Sequence, residues 1–455
     1  MSISTGKLSF RQVGRGEAEG VDESIDLYEV VGGEGEDRVH SCVALCRQSW
    51  REDWPALGGT RWLGRSRSGG ASTPEQLRQE ASELAKSMFI KNRLLRLAEN
   101  ALVREDVDFA RTRSIKLFGW QGGKGVILTP FDPELDLETN KRKHLTPLRL
   151  IAHGRLIEEL KGEYLGSKDQ GVGTPELKWI ERATSYTIGL GCERDTGEAT
   201  ATGVIAGLEQ SAREMTSVLG NDPEQPLKGL SVLVVGAGKV GIPVIRFLAS
   251  AGAKVSVYDP KLDDDRGSVD RLFEGTLSMG GAVEQTDLGL LHALHDAGRV
   301  HATETAALSD PEVQVVSPNG GLSRWLAGEV EGRRRCDLLA DTARSGNLRL
   351  VLGAGNDQVS TTDAGKDERE DVLACFDGTR LVFVPDPLVS PGGVIAVSHE
   401  QSESWSAERV NEDTRRLVTR SVRELFARCG TDRPESSKAW VAFEAMLDDE
   451  WEDRS

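Results

Sequence analysis

Residues 230–260 read LSVLVVGAGKVGIPVIRFLASAGAKVSVYDP. A short run of branched apolar residues stops at glycines, a segment with apolar residues three and four apart follows, and a second apolar run ends in an acid. That order is strand, turn, amphipathic helix, strand. Gly236, Gly238 and Gly241 form G-x-G-x-x-G at the strand-to-helix turn. The first glycine permits the tight turn, the second lets backbone N–H groups approach a pyrophosphate, and the third allows the helix to pack closely on the strand. Lys239 and Val240 complete the turn at the helix N-terminus, whose partial positive charge suits an anion. Asp259 lies 23 residues after Gly236 and is followed by Pro260. A carboxylate there accepts from both ribose hydroxyls and repels a 2′-phosphate, so NAD is expected over NADP, although Lys261 stands close enough to keep NADP in play.

Downstream, the turn-bounded apolar segments VQVVSPNGG (313–321, with Asn319 on the cofactor side), RLVLGAGN (349–356) and RLVFVPDPLVSPGGVIAV (380–397) read as later strands of a doubly wound sheet. Upstream, the polar, proline-bearing GNDPEQPLKG (220–229) is the clearest break in the chain. Before it, residues 73–103 read as a helix with Thr73 as N-cap and Pro74 in the first position. Residues 115–130 read as a strand pair or strand-loop-strand around glycines, 145–166 as a helix ended by Gly166, and 175–187 and 200–220 as further helices. A helix near 411–429 precedes an acidic end. At 455 residues the expectation is an α/β protein of two domains: residues 1–205, then a Rossmann domain over 206–400, with a helix in 401–440 packing back on the first domain and an acidic tail over 441–455.

Hydrophobic residues make up 38% of the chain, as in globular proteins, and the net charge of -17 argues against nucleic-acid or anionic-membrane partners. The basic runs NKRKH (140–144) and EGRRRC (331–336) are short and flanked by acids, as solvated faces are. No run of eighteen apolar residues occurs and the N-terminus lacks an apolar leader core, so a cytoplasmic location is expected. The six cysteines form no CxxC pair and are expected as reduced thiols. His292 and His295 have no acid or cysteine cluster around them in sequence, and no metal site is expected.

The stretch GGKGVI (122–127) sets Lys124 after two glycines and before a buried-strand pattern, a costly place for an ammonium. With ALGGTR (56–61), LAKSMFIKN (84–92), ATATGV (199–204), VLGAGNDQV (351–359) and PDPLVSPGGVIAVSHE (385–400), it resembles, in the same order, the Glu/Leu/Phe/Val dehydrogenases. These are NAD(P)-dependent amino-acid dehydrogenases, and the resemblance lies closest to the leucine/phenylalanine/valine branch. It implies an N-terminal substrate-binding and oligomerisation domain, a homodimer or larger assembly, and an amino acid or 2-oxo acid as substrate. It places Lys91 on the substrate carboxylate, Lys124 as the catalytic base and Thr200 near the nicotinamide. It also places Asn356 on the cofactor side, and Leu57, Gly58, Val394 and Val397 around the substrate side chain, beside Gly59. Gly122 and Gly123 would bare Lys124 to the substrate. A desolvated lysine repelled by a second ammonium has a lowered pKa, as a base working near neutrality needs. The apolar pocket positions favour an aliphatic or aromatic amino acid over glutamate.

Three features depart from the family pattern. Lys91 and Lys124 are 33 residues apart, wider than the family's spacing, with an extra stretch within 93–114 that reads as a longer helix, a lid, an oligomer contact or a pocket wall, or equally as a tolerated surface insertion. No aspartate follows GVGT (171–174), where Glu176 is the nearest acid, and Asp357 stands where the family usually has asparagine. Glu176 or Asp357 is therefore expected to relay protons, on a substrate that is atypical and of biosynthetic type. Two other readings remain: a dinucleotide-binding sensor or partner subunit without dehydrogenase activity, and a 2-hydroxyacid dehydrogenase, for which His399 is the one histidine near a matching loop.

Overall fold

The computed structural model describes residues 8–13, 25–47, 55–65, 70–112, 120–190, 196–263, 265–278, 281–320, 324–361, 365–400, 406–430 and 435–448. The chain divides into two compact α/β units: Met1–Asn92 with Phe118–Glu193 and Thr361–Gly365, and Arg93–Leu117 with Arg194–Ser360 and Lys366–Ser455. The division near 193 precedes the expected 205/206 boundary.

The first unit is built on six strands, β1 (Ser9–Val13), β2 (Ile25–Gly32), β3 (Val39–Cys46), β4 (Ala56–Leu63), β5 (Gln121–Leu128) and β6 (Tyr164–Lys168), in the order β1-β2-β3-β5-β4-β6. The β1, β2, β3 and β5 pairings are antiparallel, whereas β4 runs parallel to β5 and β6. The helices up to residue 181 are α1 (Pro74–Glu105), α2 (Val107–Thr112), α3 (Leu137–His144), α4 (Pro147–Glu159) and α5 (Thr174–Glu181). Thr73 Oγ1 accepts from Gln76 N (3.3 Å) while Gln76 Oε1 accepts from Thr73 N (2.9 Å), so the expected N-cap of α1 is a reciprocal capping box. On one face of the sheet Cys42, Ala44 and Val126 pack with Leu77, Ala81 and Ala85 of α1. On the other, Val43, Leu45 and Ile127 pack with Leu150, Leu156 and Ile157 of α4 and Leu177 and Ile180 of α5. The helix expected over 145–166 ends at Glu159, because Lys161 and Gly162 take positive φ (48° and 90°), and Tyr164–Lys168 becomes a strand. Gly166 lies inside β6.

The second unit contains α6 (Thr196–Glu214), α7 (Thr216–Leu219), β7 (Ser231–Val235), α8 (Gly241–Ser250), β8 (Lys254–Tyr258), α9 (Arg266–Ser278), α10 (Gln285–Asp296), α11 (Glu304–Leu308) and β9 (Val315–Pro318). It continues with the β10–β11 hairpin (Glu329–Val330, Arg333–Arg334), α12 (Arg335–Ser345), β12 (Leu350–Val351), α13 (Lys366–Cys375), β13 (Val382–Phe383), α14 (Gly392–Glu400), α15 (Ala407–Cys429) and α16 (Ser436–Asp448). Five parallel strands run in the order β13-β12-β9-β7-β8, which sets the glycine turn after β7 where the strand order reverses.

The extra stretch after Lys91 lengthens α1 and adds α2. Glu105 takes Arg420 of α15 in a two-pronged pair (3.0 and 3.0 Å), Asp106 pairs with Arg416, and buried Phe109 lies under the Arg416 guanidinium (5.2 Å). The stretch is thus held against α15. Part of the expected acidic tail is helical: Trp440 and Phe443 of α16 are buried, Trp440 stacks on Phe383, and Ser436 Oγ accepts from Phe383 N (3.0 Å), which covers the β13 edge. Residues 449–455 lie outside the described residues. Among the described residues no helix is long and apolar enough to cross a membrane.

Candidate active site

Strand alternation puts Gly122, Lys124 and Val126 of β5 on the α1 face of the first sheet, beside Leu57, Gly59 and Arg61 of neighbouring β4. Lys124 is 3% exposed, and its Nζ lies 2.5 Å from Asp169 Oδ2. Arg61 Nε donates to the same oxygen (2.9 Å) and Arg61 Nη1 to Glu80 Oε1 of α1 (2.7 Å). Two cations and two carboxylates thus form one nearly dry chain, Glu80–Arg61–Asp169–Lys124.

Burial pushes the Lys124 ammonium down to about 8; Asp169 opposes that fall and Arg61 adds to it. Burial raises the Asp169 carboxyl, yet the charges and hydrogen bonds of Lys124 and Arg61 outweigh it and hold the group well below the carboxylate range. Burial alone would lower the Arg61 guanidinium, but Asp169 and Glu80 raise it further above its ordinary value, so it stays charged. The cation acting on Lys124 is therefore Arg61. Lys91 is buried on α1, next to Asn92, whose amide donates to the Gln121 carbonyl (3.2 Å).

Asp169 follows β6 in a tight turn with Val172, in which each N–H donates to the other's carbonyl (3.1 and 2.9 Å) and Gly171 takes φ +78°. Gly59 leaves room for it: a Cβ there would stand 2.6 Å from Asp169 Cβ. Glu176, the expected acid, is engaged elsewhere. Its carboxylate accepts from Gly173 N (2.8 Å) at the start of α5 and pairs with Lys141 (3.0 Å). The acid at Lys124 is Asp169, which the sequence reading passed over.

Gly122 and Gly123 also differ from expectation. A Cβ at Gly122 would meet Ala85 O (2.2 Å) and Phe89 N (2.5 Å) of α1, and one at Gly123 the Tyr164 ring (2.7 Å). Their missing side chains are filled by a helix backbone and an aromatic ring, not left open for a ligand. Gly58 lies against the Gly123 carbonyl, and Tyr164 Oη ties both strands together, donating to Gly58 O (2.8 Å) and accepting from Gly125 N (2.9 Å). Leu57 is buried in β4.

In the second unit, Gly236 takes φ +91°, and a Cβ at Gly241 would stand 1.8 Å from Gly236 O, so helix and turn pack as the motif requires. A Cβ at Gly238 would meet nothing within 4 Å, leaving that backbone bare to a phosphate. Val240 is the N-cap of α8, which Lys239 precedes. Asp259 follows β8; its Oδ2 accepts from Ala237 N (2.8 Å) and its Oδ1 from Lys261 N across Pro260 (3.0 Å), which fixes a carboxylate at the turn with lone pairs left for hydroxyl donors. Asn319 follows β9 and is held by Ser317, with its Oδ1 accepting from Ala354 N (3.2 Å). These features fit a dinucleotide.

Thr200 on α6 donates to Thr196 O (2.9 Å), and the α14 N-terminus packs on it through Gly392, where a Cβ would stand 2.0 Å from Ala199 O. Val394 and Val397 of α14 are buried. Asn356 is half-buried, whereas Asp357 is wholly buried at φ +53°, in a turn held by Asp386, whose carboxylate accepts from Asp357 N (3.2 Å) and Gln358 N (3.1 Å). Asp357 is thus set into the backbone of a buried turn. His399 is equally buried, with Nε2 3.1 Å from Asp413 Oδ2.

A protein family described as NAD(P)-binding matches residues 226–375. The chain is 25% identical over 350 residues to the valine dehydrogenase of Streptomyces coelicolor, covering 76% of this chain and 72% of that protein. It is 26% identical over 414 residues to the phenylalanine dehydrogenase of Thermoactinomyces intermedius, covering 89% and 88%. The chain is thus similar over most of its length to amino-acid dehydrogenases. In fold, the chain is similar to the L-tryptophan dehydrogenase of Nostoc punctiforme, with a TM-score of 0.53 at 18% identity over 90% of this chain and 93% of that one.

Proposed function

We propose that the protein catalyses NAD-dependent oxidative deamination of an apolar L-amino acid, and the reverse reductive amination of the 2-oxo acid. The observation that carries this reading is the buried Lys124, 2.5 Å from Asp169 and lowered to about 8. Such an amine is substantially neutral at mildly alkaline pH and can take a proton from the water that attacks the substrate iminium. Asp169, touching Nζ, orients that amine, while Arg61 keeps Asp169 ionised and in place. Lys91 anchors the substrate carboxylate by a charge-assisted hydrogen bond. NAD, when bound, supplies the hydride acceptor. Asp259 at the glycine turn supports NAD over NADP, since its charge repels a 2′-phosphate. The positions that the family assigns to the side-chain pocket, Leu57, Val394 and Val397, are apolar and contain no cation for a γ-carboxylate.

A cytoplasmic homodimer or larger assembly completes the proposal, supported by the resemblance of the first unit to the family's oligomerisation domain and tested by light scattering. For the activity, purified protein is assayed at 340 nm with NAD or NADP and a panel of aliphatic, aromatic and acidic L-amino acids at pH 8–10. NADH should form with apolar substrates, and Lys124→Ala should abolish it. Absence of turnover with every amino acid and every 2-oxo acid would sink the proposal.

A further inference from the structure

The chemistry above leaves unused two cysteines that stand together in the second unit. Cys336, second residue of α12, is wholly buried, and Cys375, last residue of α13, is half-buried. Their Sγ atoms are 3.2 Å apart although 39 residues separate them in sequence. Cys375 Sγ is also 3.3 Å from Asp337 Oδ1, 3.2 Å from the Asp371 carbonyl and 3.4 Å from Arg334 Nη2, and Arg334 is paired with Asp337 (2.9 and 3.1 Å). Cys336, Asp337 and Cys375 would offer three donor atoms to a metal. However, the Arg334 guanidinium already donates to two of them, and a fixed cation there repels a second. What the cluster does hold is two thiols within about 1.2 Å of bonding distance, a carboxylate able to take a thiol proton and a cation able to stabilise a thiolate.

We propose that Cys336 and Cys375 are a reversible dithiol–disulfide pair, oxidised by a peroxide. The more accessible Cys375 gives its proton to Asp337 and its sulfur attacks a peroxide oxygen. The O–O bond breaks, one water leaves after protonation, and Cys375 becomes a sulfenic acid. Cys336 sulfur then attacks that sulfur, the S–O bond breaks, and the hydroxyl leaves with the Cys336 proton as a second water. Two thiols and one hydrogen peroxide become one disulfide and two waters, the two electrons passing from sulfur to oxygen. Burial pushes both thiols above their ordinary value, so oxidation is slow at neutral pH and quickens as pH rises. The bond ties the end of α13 to the start of α12 and closes a loop containing the turn of Asn356 and Asp357, which should raise thermal stability.

The test treats the full-length protein with hydrogen peroxide at pH 7 and pH 9, then alkylates it in denaturant for intact mass and peptide mapping. Free thiols should fall from six to four, with a mass loss of about 2 Da before alkylation, a mapped Cys336–Cys375 link and full recovery in dithiothreitol. Formation should be faster at pH 9, and the oxidised protein should melt higher. Cys375→Ser, at a half-buried position, should show no link and no shift in melting on peroxide treatment. The proposal is overturned if the link joins other cysteines, or if Cys375 proceeds to the sulfinic acid while Cys336 stays free. It is equally overturned if zinc chloride is taken up with both thiols as ligands.

Discussion

Gly59→Ala adds one methyl group beside the Lys124–Asp169 pair. The new Cβ would stand 2.6 Å from Asp169 Cβ and 2.8 Å from the Lys168 carbonyl, where ordinary contacts begin near 3.4 Å. The obstacle is not a flexible chain end: Asp169 Cβ is fixed by a turn whose N–H and carbonyl both bond to Val172. Relief therefore requires Asp169 to move by about 1 Å, and a reacting group misplaced by that much costs on the order of 10²-fold in rate. Lengthening the 2.5 Å ion pair to about 3.5 Å at an effective dielectric of about 20 removes roughly 2 kcal/mol of attraction, or about one and a half pKa units. Because Asp169 raises the Lys124 pKa, its retreat should move the acid limb of the pH profile downward from about 8. The assay is kcat/KM for the preferred amino acid between pH 6 and 10, with circular dichroism to confirm the fold and thermal melts to measure an overpacking cost of about 1–3 kcal/mol. A Gly59→Ala protein within threefold of wild type, with an unmoved acid limb, would refute the argument that this glycine exists to admit Asp169.

Three further outcomes are expected. Asp169→Asn should lower kcat/KM by about 10²- to 10⁴-fold, while Glu176→Gln, which loses a helix-start hydrogen bond and the Lys141 pair, should stay within threefold and lose at most about 1 kcal/mol of stability. Steady-state kinetics and urea melts of both variants decide between the two acids. Asp259→Ala should weaken NAD binding by about tenfold or more in titration calorimetry and narrow the preference over NADP. Glu29, fully buried, is raised by burial but brought down to about 2 by hydrogen bonds from His40, Arg78 and Arg11. A depressed carboxyl contributes stability above its unfolded pKa of 4.5 and loses it as pH falls towards 2, here about 3 kcal/mol. Urea melts from pH 7 to 3 should therefore show Glu29→Gln less stable at pH 7, with the gap closing below pH 4.5.

The second unit was the more legible in the sequence because its decisive features are local. In residues 230–260, glycine spacing, helical period and terminal acid all fall within one βαβ unit, and the structure forms it as read. Lys124 was legible for a similar reason, since a cation within an apolar strand violates ordinary patterning. Asp169 was not, because its approach to Lys124 depends on a turn between two strands and on the absence of a side chain at Gly59, neither of which sequence spacing from GVGT reports. The signal was present in two places: an aspartate two residues before a turn glycine, and Arg61 two residues after Gly59 and so on the same strand face. Gly122 and Gly123 misled for the converse reason, as a missing side chain marks close approach of something, and here α1 and Tyr164 fill the space. The end of α4 was misjudged because Leu165 extends the apolar pattern past two residues, Lys161 and Gly162, whose backbone cannot continue a helix.

The central claim, that Lys124 is a base with a pKa lowered by burial beside Asp169 and Arg61, is tested most directly by the pH dependence of kcat/KM for wild type against Lys124→Ala. Wild type should rise about tenfold per pH unit below an apparent pKa near 8 and level off above it, while Lys124→Ala, folded by circular dichroism, should lie at least about 10²-fold lower with no such limb. An acid limb near the ordinary lysine value of 10.5, or wild-type turnover in Lys124→Ala, would contradict the account.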